Sequence, residues 1–358
     1  MKVLTILGSS AQHIKAAVIS HQLIAKGIDE VILTAGQPID DPASHILFDE
    51  LDIPEPKYKL SIPDLNPGAV IGRLIIDIEN AIILEKPDIV IVYGDSNPAL
   101  SGAIAARKNQ IPVAHIEAGL RSFNLRTPEE LNRIIIDRIS NLLFCSTKVA
   151  VENLKNEGFD QFPCKIYESG DIMQDAANYY GALSSIKSDI IGRLNIKQSF
   201  ALATINSPEN TNNPSKLKEI VNALNQINRN QRVIAILHPN TSKYLKKAEI
   251  ETNFNIIHPV NYFDLVELLK SCNIVLTDSG EIQKEAFFFE KVCVTLKQET
   301  EWIELVKNGF NMLGSSDSEF ILIAYHEMMS RNVDFNIDLY GKGKASVKIS
   351  EILKNWKE

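Results

Sequence analysis

The chain has 358 residues, which is enough for two domains of ordinary size. Its hydrophobic fraction of 45% and charged fraction of 23% are typical of a soluble globular protein. The formal net charge of −8, without a block of lysine or arginine, argues against a nucleic-acid partner. No apolar stretch reaches the roughly 18 residues of a membrane span. The chain opens with a predicted strand rather than a signal peptide.

The four cysteines are spread along the chain, and no two of them have CxxC spacing. Cys145, Cys272 and Cys293 lie in or beside apolar runs, and the fourth is Cys164. This pattern predicts reduced thiols in a cytoplasmic protein. The seven histidines do not cluster with the cysteines, so the sequence predicts no metal site.

The first half of the chain alternates apolar runs with helical patterns. Strands are predicted at 2–7, 30–34, 88–93, 111–116, 141–146 and 165–168. Helices are predicted at 11–26, 42–51, 69–86, 98–108, from 128 onward and at 149–157, with a Pro-rich loop at 53–67. Such alternation is typical of an α/β fold with a doubly wound parallel sheet.

The second half repeats this alternation after a long helical stretch at 173–194, which we interpret as the connection between domains. Strands are predicted at 199–204, 232–237, 255–257, 274–277 and 292–296, and helices at 213–226, 262–271, 282–288 and 344–356. The sequence therefore predicts two Rossmann-like domains. The first comprises residues 1–172 with a C-terminal helix at 345–358, and the second comprises residues 173–344.

Acidic residues follow two neighbouring strands of the first predicted sheet. Asp95 comes just after the third strand, and Glu117 just after the fourth. Because ligands bind at the carboxyl ends of strands in open α/β folds, we expect both carboxylates at a binding edge. Glu129 and Glu130 follow in the first turn of the next predicted helix.

Two interpretations of these carboxylates are open. Each of them alone is compatible with a turn residue, a loop cap or a first-turn carboxylate favoured by the helix dipole. Together with Arg121 and Arg133, which flank Glu129 and Glu130 in the sequence, they indicate proton transfer beside an anionic substrate.

The second predicted domain has a candidate anion site between the strand at 274–277 and the helix that follows. Ser279 and Gly280 lie there, where free backbone N–H groups at a helix N-terminus bind a diphosphate. The alternative is a plain N-cap by Ser279. His238 likewise follows a predicted strand, where it either donates to a substrate or caps a loop.

Longer motifs connect these residues to a known family. The segments HIEAGLRSFN at 115–124, PEELNR at 128–133, TDSG at 277–280 and YGKGKAS at 340–346 resemble the non-hydrolysing UDP-N-acetylglucosamine 2-epimerases. The motifs follow the family's order along essentially the whole chain. Within the family, the segment at 301–304 and the SFN after Arg121 look like the branch that acts on UDP-2,3-diacetamido-2,3-dideoxy-glucuronate.

This resemblance implies a fold and a reaction. The fold is that of the GT-B glycosyltransferases, with two Rossmann-like domains facing across a cleft and a C-terminal helix that crosses back to the first domain. The reaction inverts C2 of a UDP-linked 2-acetamido sugar by elimination and re-addition of UDP, without a cofactor, for the synthesis of surface polysaccharide precursors. The resemblance also implies a cytoplasmic homodimer. A GT-B glycosyltransferase and a weakened or repurposed relative that binds a nucleotide sugar are the alternatives.

The resemblance also assigns site residues. The catalytic set corresponds to Lys15, Asp95, Glu117, Glu129 and Arg133, and it leaves open which carboxylate is acid and which is base. The set that binds the substrate and its nucleotide corresponds to Ser10, Arg121, Asn206, His238, Tyr262, Ser279, Gly280, Glu281 and Glu285. In this set, Glu285 accepts hydrogen bonds from the ribose, and Tyr262 lies near the uracil.

The chain departs from the family's pattern at four places, one of them Ser207-Pro208, where the family often has a basic residue, and the other three are single residues. The family usually has an arginine at Ser10, a histidine at Asn206 and a glycine at Glu281. All three replacements lie on the expected phosphate side, and they remove positive charge or add negative charge. We therefore expect weakened binding of the diphosphate, while the carboxylates that carry the chemistry are retained.

Overall fold

The computed structural model describes residues 1–36, 51–62 and 65–357. The helix predicted at 42–51 lies outside the described residues, apart from its last position. The chain divides into two compact units. The first comprises Met1–Ala176 with Asp338–Glu358, and the second comprises Ala177–Ile337.

The first unit contains a seven-stranded sheet in which all paired strands are parallel. Its strands are β1 (Lys2–Leu7), β2 (Asp29–Gly36), β3 (Tyr58–Ser61), β4 (Ile89–Tyr93), β5 (Val113–Ile116), β6 (Leu142–Cys145) and β7 (Lys165–Glu168). The order across the sheet is β3-β2-β1-β4-β5-β6-β7. This is a doubly wound sheet, in which the order reverses next to β1.

The helices of the first unit alternate with these strands. They are α1 (Ser10–Ala25), α2 (Pro67–Glu85), α3 (Asn97–Lys108), α4 (Pro128–Ile139) and α5 (Lys148–Asn156), with a short 3₁₀ turn at Phe159–Gln161. Leu4 and Ile6 of β1 and Leu74 of α2 belong to the core on one face of the sheet. A Cβ atom on Gly102 of α3 would lie 2.4 Å from Ile6 Cδ1, so a larger residue there would require the Ile6 side chain to shift.

Strand β3 lies in the segment for which the sequence predicted a loop, so that prediction was wrong at these residues. Its side chains alternate between partly buried and exposed, which leaves no apolar run to detect. The strand exists because Tyr58 to Ser61 pair in register with Leu33 to Gly36 of β2. Such an edge strand depends on its neighbour more than on its own composition.

The C-terminal helix α15 (Ala345–Asn355) belongs to the first unit, as predicted. Its first residues are held by Asp175 in helix α6 (Ile172–Lys187). The carboxylate accepts the N–H of Ala345 at 3.0 Å and the N–H of Ser346 at 2.7 Å. The division between the two units falls within α6, after the predicted boundary at residue 172.

The second unit contains a six-stranded sheet, also with all paired strands parallel. Its strands are β8 (Phe200–Thr204), β9 (Arg232–Ile236), β10 (Asn255–Ile257), β11 (Ile274–Thr277), β12 (Val292–Thr295) and β13 (Asn311–Leu313), in the order β10-β9-β8-β11-β12-β13. Its helices are α7 (Ile190–Arg193), α8 (Pro208–Thr211), α9 (Pro214–Ile227), α10 (Pro239–Lys247), α11 (Tyr262–Ser271), α12 (Gly280–Phe288), α13 (Ile303–Lys307) and α14 (Ser318–Ser330). Strand β13 and helices α8, α10, α13 and α14 were not predicted from the sequence.

Candidate active site

The ends of β4 and β5 meet at one edge of the first sheet. Gly94, directly after β4, donates its N–H to Ile116 O at 2.9 Å. Gly94 has φ +59, and a Cβ atom on it would lie 3.4 Å from Glu117 Oε2. Because this position needs a left-handed backbone and a close approach, glycine suits it. The turn that carries Asp95 therefore lies against the Glu117 carboxylate.

Glu117 is held by Lys15 of α1. Lys15 Nζ lies 2.7 Å from both carboxylate oxygens, and both side chains are buried. The backbone of Glu117 is left-handed, with φ +70, which strains a residue other than glycine. Strain of this kind is tolerated where the surroundings fix the residue. The structure thus joins two predicted catalytic residues that are 102 positions apart in the sequence.

Asp95 forms a second ion pair, with Arg133 of α4. Arg133 Nη2 lies 2.7 Å from Asp95 Oδ2, and Arg133 Nε donates to the same oxygen at 2.8 Å. Burial raises the pKa of Asp95, while the Arg133 guanidinium acts in the opposite direction. A carboxyl group that retains its proton to higher pH is suited to proton exchange with a substrate.

Arg133 also contacts Glu130, which was named among the acidic residues of the sequence but was not assigned to the catalytic set. Arg133 Nη1 donates to Glu130 Oε2 at 2.8 Å, and the carboxylate accepts the N–H groups of Ser122 and Phe123, both at 2.9 Å. Burial alone would raise the pKa of Glu130, but these donors lower it overall. The spacing of three residues from Arg133 on a helix was the available signal.

The predicted catalytic residue Glu129 has a different environment from its neighbour. It lies in the first turn of α4 and is exposed, whereas Glu130 is only 1% exposed. The structure therefore brings Lys15, Glu117, Asp95 and Arg133 together, with Glu130 as an additional member. The role of Glu129 stays a prediction.

Arg121 lies in a buried charged network. Its Nη1 donates to Asp137 Oδ2 at 2.8 Å, and its Nε and Nη2 donate to the two carboxylate oxygens of Glu157 at 2.7 and 2.8 Å. All three guanidinium nitrogens are thus engaged with other groups of the first unit. We therefore assign Arg121 to holding this unit together, and we leave it out of the proposed substrate-binding set.

Gln12 is a site residue that the sequence analysis missed. Its Oε1 accepts the N–H of Gly8 at 2.6 Å, and its Nε2 donates to Tyr93 O at 2.6 Å and to Ser96 Oγ at 3.2 Å. It therefore ties the loop before α1 to the turn that carries Asp95. Its position one turn before Lys15 on the same helix was the signal. Ser10 is the first residue of that helix.

In the second unit, Asp278 organises the loops at the carboxyl edge of the sheet. It follows β11, and its two oxygens accept the N–H of Asn206 at 2.9 Å and the N–H of Ser207 at 3.0 Å. Burial raises the pKa of Asp278, although these donors oppose the rise. Asn206 Oδ1 in turn accepts the N–H of His238 at 3.4 Å. Two predicted nucleotide-binding residues, Asn206 and His238, therefore lie together.

Ser279 is the N-cap of α12, as one of the two interpretations expected. Its side chain accepts the N–H of Ile282 at 3.5 Å, and its own N–H donates to Thr277 Oγ1 at 3.0 Å. A Cβ atom on Gly280 would lie 3.3 Å from Trp302 Nε1. The absence of a side chain at Gly280 thus keeps the start of α12 close to Trp302.

Glu281 meets a cation. Its Oε2 lies 3.3 Å from Nζ of Lys284, which is fully buried. The same Nζ lies 4.1 Å from the centre of the Trp302 ring. The carboxylate that departs from the family's pattern is therefore paired inside the protein, with its partner lysine packed against an aromatic face.

Tyr262 and Glu285, two further predicted nucleotide-binding residues, also lie together. Both are buried, and the Tyr262 hydroxyl is hydrogen-bonded to the Glu285 side chain. Burial raises the pKa of Tyr262 well above its ordinary value, and the Glu285 carboxylate adds to the rise. His238 caps α10, where its Nδ1 accepts the N–H of Asn240 at 3.2 Å.

The findings on metal ligands and membrane spans apply to residues 1–36, 51–62 and 65–357. No group of three His, Cys, Asp or Glu side chains in these ranges is arranged to hold a metal ion. No helix in the same ranges combines the length and the apolar character needed to cross a membrane.

Two Rossmann-like units, one with paired carboxylates and cations at its sheet edge, define an enzyme of the GT-B-like class. Residues 22–354 match the family model described as UDP-N-acetylglucosamine 2-epimerase, and the chain belongs to this family. The resemblance seen in the sequence motifs is thereby confirmed.

Individual relatives are similar along the whole chain. The UDP-2,3-diacetamido-2,3-dideoxy-D-glucuronate 2-epimerase of Pseudomonas aeruginosa is 44% identical over 355 residues, which cover 99% of each chain. A UDP-N-acetylglucosamine 2-epimerase homolog of Methanococcus maripaludis is 40% identical over 363 residues, covering 99% of this chain and 100% of the other. The crystal structure of the Methanocaldococcus jannaschii UDP-GlcNAc 2-epimerase in complex with UDP-GlcNAc and UDP is 35% identical, with a TM-score of 0.92 over 99% of this chain and 100% of that chain.

Proposed function

We propose that this protein is an epimerase that inverts C2 of a UDP-linked 2-acetamido sugar. The observation that carries the proposal is the pairing of two carboxylates with two cations at one sheet edge, Glu117 with Lys15 and Asp95 with Arg133. Family membership and the similarity to named UDP-sugar 2-epimerases support the same reaction.

The chemistry follows from the substrate. The hydrogen on C2 is not acidic, because no carbonyl group is conjugated to it. A base removes this proton as the C1–O bond breaks, so that a C1=C2 double bond forms and UDP leaves with the bonding electron pair. UDP then adds back to C1, and an acid protonates C2 from the opposite face. This sequence needs an acid, a base and cations that stabilise the leaving diphosphate.

We assign these tasks to residues of the first unit. Asp95, Glu117 and Glu129 supply the acid and the base, and Lys15 and Arg133 stabilise the developing negative charge. We assign diphosphate binding to Asn206, His238, Ser279 and Gly280 of the second unit, and we propose the same task for Ser10. Tyr262 and Glu285 bind the uridine.

Among UDP-linked 2-acetamido sugars, we propose UDP-2,3-diacetamido-2,3-dideoxy-glucuronate as the substrate, with UDP-N-acetylglucosamine as the alternative. The relative at 44% identity carries the first name, and relatives at 40% identity or less carry the second. Turnover of the two sugars by the purified protein at equal concentration tests this choice. Equal or faster turnover of UDP-N-acetylglucosamine would overturn the assignment to the diacetamido uronate.

Incubation with the UDP-sugar in deuterated water tests the reaction class. An epimerase that removes the C2 proton must place deuterium on C2, which proton NMR detects as loss of the C2 signal. A glycosyltransferase releases UDP without labelling the remaining sugar at C2. Binding without labelling or UDP release would identify a nucleotide-sugar binding protein instead.

That binding protein is the second candidate function, and one observation favours it. Glu281 places a carboxylate at the start of α12, and it pairs with Lys284, the buried cation beside Trp302. A relative that retains its carboxylates for chemistry but holds the diphosphate weakly would bind and release nucleotide sugars with little turnover. Detectable labelling at C2 decides between the two functions.

We further propose a homodimer in the cytoplasm. All four cysteines are free, and Cys145, Cys272 and Cys293 are buried, which suits a reducing compartment. Light scattering coupled to size-exclusion chromatography measures the mass, which should be twice that of the 39.9 kDa chain.

A further inference from the structure

His115, in the middle of β5, is a buried side chain to which the proposed reaction gives no task. It is 0% exposed and is paired across the sheet with Val92 of β4. Its Nδ1 lies 2.6 Å from Asp137 Oδ1, and its Nε2 lies 2.8 Å from Gly94 O. Both ring nitrogens therefore face oxygen atoms, one on a helix and one on the turn before Asp95.

The partners of the ring decide which way its hydrogen bonds run. Gly94 O is a carbonyl oxygen, so it only accepts, and Nε2 must carry a proton. The second oxygen of Asp137 accepts the N–H of Gly119 at 3.1 Å and Arg121 Nη1 at 2.8 Å. Burial alone would raise the pKa of Asp137, but His115 and Arg121 lower it overall. Asp137 is thus an ionised acceptor, and both ring nitrogens face oxygen acceptors.

The Gly94–Asp95 turn is held at several points around this ring. Gly94 O accepts from His115, and Gly94 N–H donates to Ile116 O at 2.9 Å. Asp95 O accepts Nδ2 of Asn132 at 2.7 Å. A turn fixed on both sides of the peptide cannot shift without breaking a buried hydrogen bond, which sets the distance between Asp95 and Glu117.

We propose that His115, locked by Asp137, is a positioning residue that holds the Gly94–Asp95 turn and so sets the spacing of the two carboxylates. It contacts neither the sugar nor the nucleotide. This inference rests on the proposed function, because it needs Asp95 and Glu117 to act on C2. Misplacement of a reacting group by about 1 Å costs on the order of 10²-fold in rate, so loss of the ring should lower kcat and leave KM nearly unchanged.

The test compares three buried substitutions that differ in what they do to Gly94 O. His115→Gln removes the ring that joins Gly94 O to Asp137, because one amide group cannot reach both acceptors. Asp137→Asn removes the charge that locks the ring but leaves the ring able to donate to Gly94 O. Val113→Ala opens a cavity in the same strand, where Val113 is fully buried, without touching any polar group of the site.

We expect kcat to fall about 10²-fold in His115→Gln, less than tenfold in Asp137→Asn and hardly at all in Val113→Ala. The melting temperature should fall in all three, and most in Asp137→Asn, because it unbalances the buried pair with Arg121. Activity and stability would then rank the variants differently. If kcat instead follows the melting temperature across the three variants, His115 has only a structural role and the inference is wrong.

Two further measurements keep the outcomes distinct. If His115→Gln does not fold, Asp137→Leu takes its place in the test. Leucine cannot hydrogen-bond the ring, so Asp137→Leu should lower kcat more than Asp137→Asn does. Equal kcat in the two Asp137 variants would overturn the inference. If the unmodified protein places no deuterium on C2, the proposed function fails and this inference fails with it. A labelling parent with fully active His115→Gln would overturn the inference alone.

Discussion

The two units use their buried carboxylates in different ways. In the first unit, Glu117 pairs with Lys15 and Asp95 with Arg133. In the second unit, Asp278 is held by N–H donors of the loop after β8. The cation pairs hold the carboxylates of the first unit in a fixed orientation, which suits chemistry, whereas Asp278 fixes the shape of a loop.

The buried cations of the two units differ in the carboxylates that they face. Lys15 and Arg133 each face a carboxylate of the proposed chemistry, so their charges lie beside the reacting groups. Lys284 of the second unit faces Glu281, a residue that the family's pattern does not have there. The charge departures at Ser10, Asn206 and Glu281 all fall on residues proposed for the diphosphate, whereas the carboxylates and cations proposed for the acid–base chemistry are kept. Turnover and nucleotide affinity should therefore respond to different residues.

The largest expected effect is loss of turnover when a carboxylate of the first unit is neutralised. Asp95→Asn, Glu117→Gln and Glu129→Gln should each lower kcat by about 10²-fold or more, as loss of a general acid or base does. UDP affinity should change little, since none of these three carboxylates is assigned to nucleotide binding. Rates of C2 inversion by NMR and titration calorimetry with UDP measure the two quantities.

Glu152→Gln is the matched control, since it removes one exposed carboxylate from the same unit. Glu129→Gln tests the catalytic assignment most directly, because Glu129 is exposed whereas Glu130 is buried and contacts Arg133. Near-normal turnover in Glu129→Gln together with a large loss in Glu130→Gln would transfer the role to Glu130. Retained turnover in Asp95→Asn would remove that residue from the mechanism.

The next effect concerns the residues assigned to the diphosphate. Glu281→Gln removes an anion beside Lys284 on the diphosphate side, and Ser10→Arg adds a cation. Each change should tighten UDP binding by about 1–3 kcal/mol, or roughly ten- to hundredfold. The gain should shrink as salt is added, because the new attraction is screened. Titration calorimetry at two salt concentrations measures both effects.

Glu290→Gln serves as the control, because it removes an exposed carboxylate just after the end of α12. Glu281→Gln should also lower stability, since it leaves the fully buried Lys284 without this carboxylate. An unchanged UDP affinity in Glu281→Gln and Ser10→Arg would mean that these residues do not act on the diphosphate. Tighter binding without any turnover would favour the nucleotide-sugar binding protein.

Local patterns explain which parts of the fold were predictable. Strand β4 is a run of five buried residues, four of them β-branched and the last a tyrosine, so its composition identifies it. Strand β3 alternates and lies at an edge, and only its register with β2 makes it a strand. Helix α10 has just two buried residues, so it has almost no apolar face for a pattern to show.

The site, like the fold, has features that the sequence predicts and features that only the tertiary structure sets. That Asp95 and Glu117 share a sheet edge follows from parallel strands, and the sequence predicted it. Which of Glu129 and Glu130 faces Arg133 depends on the rotation of α4 about its axis, which tertiary packing sets. The engagement of Arg121 by Glu157 joins residues 36 positions apart, and no local pattern contains that pairing.

The smallest effect extends the comparison to acid stability. Glu85 accepts hydrogen bonds from Lys2 at 2.6 Å and from Tyr58 at 2.5 Å, and it pairs with Lys57 at 2.7 Å. These partners lower the pKa of Glu85 from 4.5 to about 2. A lowered pKa means that the ionised group stabilises the fold, fully above pH 4.5 and progressively less as pH falls towards 2.

Glu85→Gln should therefore lower the free energy of unfolding by about 1–3 kcal/mol at pH 7, and the difference from the parent should shrink between pH 4.5 and 2. Glu55→Gln removes an exposed carboxylate three residues before Tyr58 of β3, and it should leave the pH dependence of the unfolding free energy unchanged. Asp278 behaves in the opposite sense, because burial raises its pKa and acid relieves that cost. Urea unfolding followed by circular dichroism across this pH range measures the difference. A difference in unfolding free energy between Glu85→Gln and the parent that stays constant at every pH would show that Glu85 acts through packing rather than charge. The contrast between the buried carboxylates of the two units would then hold only for the residues of the site.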